Sequence, residues 1–239
     1  RAKPIDELLA LLRDPAVKRK LVEVANAPYN GPEIVGAEAR PPEWDWFYYM
    51  RGIGDELLMS DVARERGVSG AEAMIDIALE TNGNAFFRQP LANEDQDHVL
   101  TMMKHPRSVV TFSDSGAHVA QIMDSSLQTH LLSHWVRDKQ AFTLEEAVRL
   151  ITHDTATAWG LYDRGLVREG LNADLVIFDP DTIAQNMPEL VNDLPAGAQR
   201  LKQTATGIST SIVNGEVLLE NNVPTGNLPG QLVRGPLAR

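Results

Sequence analysis

Apolar residues recur at helical spacing over residues 5–12, and Asp14-Pro15 then supplies an N-cap and a first-turn proline for a second helix running to about Ala25. From residue 26 to 42 the pattern gives way to Pro, Gly and Asn with no sustained period, which predicts a long loop. Residues 44–50 (WDWFYYM) are compactly aromatic and predict a strand covered on both faces, followed by a glycine-containing turn over 51–55. Residues 59–66 read as helix. Ser69-Gly70-Ala71-Glu72 is a capping box that opens another, with Ile75, Ala78 and Leu79 on one face and Asn82-Gly83 as its stop. Residues 85–88 predict a short strand, 94–104 a helix, and 108–112 (SVVTF) a β-branched strand.

Strands separated by helical stretches predict a parallel sheet built from βα units, an α/β fold. A helical region through Trp135 follows, and Thr143 with Glu146 forms a capping box for a helix through Ile151. Beyond residue 161 helical periodicity fades. Residues 174–179 (DLVIFD) form an expected strand ended by Pro180, and Asn214-Gly215 sits between two β-rich runs, a strong short-range hairpin signal. Residues 221–239 carry no pattern and are expected to wrap the surface or be mobile. The pattern divides the chain at 1–160 and 161–239, with no internal repeat.

Composition narrows the function classes. With 22 basic and 33 acidic residues the formal net charge is -11, so a nucleic acid would meet a like-signed field. The chain has no cysteine, which removes disulfides, thiolate ligands and a cysteine nucleophile. No apolar run approaches the roughly 20 residues that a bilayer demands, so neither nucleic acid nor membrane is an expected partner and the cytoplasm is the default compartment. The first residue is Arg rather than Met, which suggests a start inside a longer reading frame.

The most informative chemistry lies where SVVTF runs into Ser113-Asp114-Ser115-Gly116. In parallel α/β sheets and barrels, side chains at the C-terminal strand ends project into the site. A carboxylate there can ligate a divalent cation and take a proton from its water, or else simply cap the next helix. His118, four residues on, is placed to touch substrate or metal, and Ser115 and the strand-end Arg51 and Arg88 are candidates to hold substrate. His130 and His134 stand one helical turn apart, a spacing able to bind zinc, although Leu131 replaces the glutamate of a His-Glu-x-x-His motif. A serine hydrolase is disfavoured, because Phe112 to Gly116 is not a Gly-x-Ser-x-Gly elbow.

Residues 108–116 resemble the eighth barrel strand of the amidohydrolase superfamily. Three downstream stretches are similar, in order, to its N-acyl-D-amino-acid deacylase (D-aminoacylase) group: TLEEAVR at 143–149, DRGLVREG at 163–170 leading into ADLVIFD at 173–179, and IVNGEV at 212–217. The resemblance plausibly spans residues 45–220. It implies the last βα units of a TIM-type barrel followed by the C-terminal part of a small β-sandwich domain. It also implies zinc, one or two ions, and hydrolysis of a small-molecule amide, a carbon–nitrogen bond other than a peptide bond. Asp114 would then be the metal-bound carboxylate that accepts the hydroxide's proton and passes it to the leaving nitrogen.

The chain departs from that family in two respects. All six histidines, at 98, 105, 118, 130, 134 and 153, fall outside any His-x-His pair. A full barrel takes about 250 residues, so the remaining ligands are expected upstream of Arg1, and this portion is expected to be inactive alone. The His-Pro-Arg that follows the aspartate in the group is also missing from residues 119–126; the chain's His-Pro-Arg, at 105–107, precedes the strand. A cyclic amide is therefore an alternative substrate, and a non-catalytic scaffold or subunit-contact module an alternative role. Open sheet edges further predict a homo-oligomer or association with a missing N-terminal half.

Overall fold

The computed structural model describes residues 4–28, 42–90, 92–116, 118–121 and 124–234; most of the loop expected over 26–42 lies outside them. Helices α1 (Ile5–Leu12) and α2 (Pro15–Asn26) meet at Asp14, whose carboxylate accepts from Ala16 N at 2.8 Å, the cap that the Asp-Pro pair predicts. They belong to the first of two compact units, Arg1–Val99 and Leu100–Arg239.

In the first unit follow β1 (Tyr48–Gly52), β2 (Asp55–Leu58), α3 (Met59–Arg66), α4 (Gly70–Glu80) and β3 (Phe86–Arg88). The sheet order is β2-β1-β3, with Tyr49 opposite Leu57 on one side and Phe87 on the other. The aromatic strand starts later than its composition predicts, at Tyr48 rather than Trp44. Residues 44–46 turn instead, with Trp46 N donating to Glu43 O at 2.8 Å, and the Trp44 indole lies against α4. A Cβ on Gly70 would sit 2.2 Å from that ring, so the first residue of α4 is glycine for space. Phe47, Met59, Val62, Ala63, Ala73 and Ile77 form the core beneath it. Helix α2 is tied to α4 by Lys18, whose ammonium lies 2.7 Å from Asp76 and 3.0 Å from Glu72.

Helix α5 (Gln96–Met103) straddles the boundary between the units. In the second unit α6 (Leu127–His130) continues as a π-helical stretch (Leu131–Asp138), and α7 (Leu144–Arg149) continues through another (Leu150–Asp154) into α8 (Thr155–Ala158). The capping box of α7 is complete: Glu146 N donates to Thr143 Oγ1 at 3.2 Å, and Thr143 N to Glu146 Oε2 at 2.9 Å.

The β-structure comprises β4 (Leu175–Phe178), β5 (Ala184–Gln185), β6 (Glu189–Val191), β7 (Arg200–Lys202), β8 (Ala205–Thr206), β9 (Ile208–Val213), β10 (Glu216–Glu220) and β11 (Val223–Pro224). The largest sheet runs β11-β10-β9-β4, with β5-β8 and β6-β7 as two-stranded ribbons. Asn214 (φ 49°) and Gly215 (φ 82°) make the β9–β10 turn, both left-handed as a primed hairpin turn requires.

The chain is thus mixed α/β, but two sheet expectations are corrected. Every strand pairing among the described residues is antiparallel. In the first unit the reason is local: the short turn between β1 and β2 allows nothing else, since parallel strands need a crossover of a dozen residues or more. Residues 108–112 are extended yet pair with no strand among the described residues, leaving Phe112 77% exposed. β-Branched residues favour an extended backbone; a strand also needs a neighbouring backbone to bond. No helix among the described residues is long and apolar enough to cross a membrane.

Candidate functional site

The unpaired segment is anchored where Thr155 at the start of α8 reaches it, its hydroxyl 2.5 Å from Val110 O. Ser108 N donates to His105 O at 2.9 Å at the other end. The chain then turns sharply. Ser113 Oγ accepts from Ser115 N at 3.3 Å and lies 2.7 Å from Ser115 Oγ, and the residue between them, Asp114, takes a left-handed backbone with φ 56°. Aspartate tolerates that region better than most residues because its short polar side chain can bond locally. The turn displays the carboxylate, and Asp114 is exposed. It does not cap a helix: residues 115, 116 and 118–121 form turns, and the next helical residues begin at Asp124.

His118 lies on the same loop and is exposed; its carbonyl accepts from Gln121 N at 2.8 Å. Leu201 N of β7 donates to Val119 O at 2.7 Å and fastens this loop to the β-structure. The fold therefore brings Ser113, Asp114, Ser115 and His118 onto one stretch. Arg51 and Arg88 belong to the sheet of the first unit and are engaged there: Arg51 lies 2.5 Å from Asp55, and Arg88 lies 2.5 Å from Glu56 and stacks 4.7 Å over the Tyr48 ring.

Among the described residues no three His, Cys, Asp or Glu side chains stand together as a metal site. The residues present do not by themselves make up the zinc centre that the resemblance implies. A shallow depression of about 360 Å³ is bordered by Phe178, Asp179, Gly207 and Asn221 on the β-structure, away in sequence from Asp114.

The other family-like stretches are structural. Arg164 bridges Asp163 at 3.1 Å and Asp174 at 2.8 Å; Asn172 donates to Asp163 at 2.7 Å, and Asn214 N donates to Asp174 at 2.8 Å. The guanidinium's hydrogen bonds are the largest cause holding the Asp163 carboxyl below its usual range, and Asp163 in turn raises Arg164. This clamp ties the loop before β4 to the β9–β10 turn, which explains why the DRG and NG stretches occur together.

His130 and His134 stack face to face, ring centroids 4.7 Å apart and 12° from parallel. Gln185 of β5 reaches both His130 and the buried Ser133. That glutamine lies 55 residues from His130, and nothing in local spacing marks it.

The amidohydrolase family model matches residues 33–219. The chain belongs to the amidohydrolase family. Within that family it is similar to the D-aminoacylase group, as its motifs lead one to expect. It is 27% identical over 179 residues to an N-acyl-D-aspartate deacylase of Alcaligenes xylosoxydans xylosoxydans, covering 74% of this chain and 31% of that one. It is 35% identical over 103 residues to a D-aminoacylase of the same organism, covering 43% and 19%. Its fold is similar to that of an N-acyl-D-glutamate deacylase from Bordetella bronchiseptica solved with zinc and a phosphonate mimic of the tetrahedral intermediate. The TM-score is 0.50, with 26% identity and coverage of 83% of this chain and 39% of that one. This amidohydrolase chain spans well under half the length of each of these relatives.

Proposed function

We infer that this chain is the C-terminal part of an amidohydrolase that cleaves the amide of an N-acyl-D-amino acid, with Asp114 as its acid–base residue. The observation that carries this is the family match running through Ser113-Asp114, together with the turn that displays the Asp114 carboxylate at the end of an extended segment. In amide hydrolysis a carboxylate so placed accepts a proton from the attacking water and returns it to the nitrogen, which then leaves as a neutral amine rather than an amide anion. Ser115 and His118 share its loop and are the proposed substrate contacts. Arg51 and Arg88 join them by exchanging an exposed carboxylate partner, a pair worth about 1 kcal/mol or less.

Zinc as the metal, residues 1–160 as the closing units of a barrel and 161–239 as part of its β-domain belong to the same proposal. So do a cytoplasmic location and association with a second copy or with an N-terminal half covering the exposed Val109 and Phe112. No step is routed through a metal here, because the described residues do not assemble one.

The test is hydrolysis of N-acetyl-D-aspartate and N-acetyl-D-glutamate by the chain extended with its upstream coding sequence. Asp114→Asn is expected to lower kcat/KM by about 10²–10⁴-fold with an unchanged circular dichroism spectrum. An undiminished rate removes Asp114 from the chemistry. Turnover by the 239-residue chain alone, supplied with zinc, overturns its reading as a part. A second reading, a non-catalytic scaffold of the same fold, is favoured by the exposure of Asp114 and Phe112; it gains if the extended protein turns over no amide, cyclic amides included.

A further inference from the structure

We propose that His130 and His134 form a binding site for a divalent transition-metal ion of the zinc, nickel or copper class, with Gln185 setting the tautomer that presents the ligand nitrogen. The proposal stands apart from the amide-hydrolysis reading and rests on different residues.

The two imidazoles lie one turn apart where α6 passes into its π-helical continuation, and they are nearly parallel at 4.7 Å. Both rings are half-buried and both are held. The Trp135 indole, itself buried, meets His134 edge-on at 5.1 Å. Gln185 holds His130.

The protons around Gln185 decide the tautomer. Ser133 Oγ–H donates to Thr129 O at 2.8 Å. A hydroxyl has one proton, so toward Gln185, 3.2 Å away, Ser133 can only accept. The amide must therefore turn its NH₂ to Ser133. Its oxygen then faces His130 Nδ1, at the amide position 3.4 Å from that nitrogen. The oxygen and nitrogen of an amide exchange by a half-turn, and the hydrogen-bond network chooses between them. His130 consequently carries its proton on Nδ1 and leaves Nε2 with a lone pair, the arrangement in which an outer oxygen fixes a metal-binding imidazole.

Metal–imidazole bonds are about 2.0–2.1 Å, which sets two ligand nitrogens of a tetrahedral ion roughly 3.3 Å apart. Co-facial rings at 4.7 Å reach this if their tips converge by roughly 1 Å, a small rotation about the broad final torsion of histidine. Solvent supplies the remaining positions. Two imidazole nitrogens suit borderline ions rather than magnesium or calcium, which prefer oxygen.

The experiment uses the untagged 239-residue chain, titrated with zinc chloride by calorimetry and followed by long-range ¹H–¹⁵N spectra of the imidazoles. The expected result is one zinc per chain that shifts Nε2 of His130 and His134, with His130 in the Nδ1–H form before metal is added. His130→Gln and His134→Gln are each expected to weaken binding at least tenfold, and Gln185→Leu about tenfold. The exposed His98, changed to Gln, leaves it unaltered. The proposal is overturned if the unaltered chain binds no zinc, if binding survives loss of either ring, or if His130 carries its proton on Nε2. Should a variant fail to fold, the spectra of the unaltered chain still decide the matter.

Discussion

Asp114 pays a conformational cost for its place at the tip of a turn. A left-handed backbone costs an L-residue about 1–2 kcal/mol, less for aspartate, and such strain persists at sites where function retains it. Asp114→Ala is therefore expected to destabilise the chain by about 1 kcal/mol, and Asp114→Gly by less than half as much, since glycine adopts positive φ freely. Urea unfolding of the two variants measures the difference, and equal losses would show that backbone conformation is not what this position stores. The identity of the acid is legible in the sequence; its exposure and backbone are not, because they depend on Ser113 and Ser115 closing the turn.

Elements whose signals are local formed where the residues placed them. The Asp14 cap, the 59–66 helix, the Thr143 capping box and the Asn214-Gly215 turn each involve groups a few positions apart, so short sequences suffice to specify them. Thr143→Ala removes the acceptor for Glu146 N and is expected to cost about 1 kcal/mol, read as a lower midpoint in thermal unfolding. The 108–112 segment behaves differently. Its residues favour extension, but a strand is completed by hydrogen bonds to another backbone, and here Val110 O finds the Thr155 hydroxyl instead. The aromatic stretch shortened for a related reason, since Trp44 is drawn over Gly70 rather than along the sheet.

Across the whole molecule the acidic excess is balanced by specific pairing. Arg164 and Arg200, through their hydrogen bonds, hold the Asp163 and Asp193 carboxyls below their usual range, and the Asp181 backbone N–H does the same for Asp179. A depressed carboxylate contributes stability that is present above its unfolded value, about 3.9, and is lost as pH falls through the folded value. The melting temperature is expected to hold steady in these contributions from neutral pH to about 5 and to fall below about 4. Lys18 acts in the opposite sense: Asp76 raises it most, so its contribution is complete below about 10.4 and disappears as pH climbs through the higher folded value. Circular dichroism melts across pH test both limbs, and a midpoint unchanged at pH 3 would refute the acid limb.

Sequence alone determined the mixed α/β character, the family, and the position of Asp114, because these reside in local periodicity, caps and contiguous motifs. Only the tertiary structure decided that the sheets are antiparallel, that 108–112 stands unpaired, and that Gln185 meets His130 and Ser133. Each of those outcomes depends on which distant backbone or side chain arrives alongside, and contact between residues 52 or 55 positions apart leaves no trace in the spacing of either.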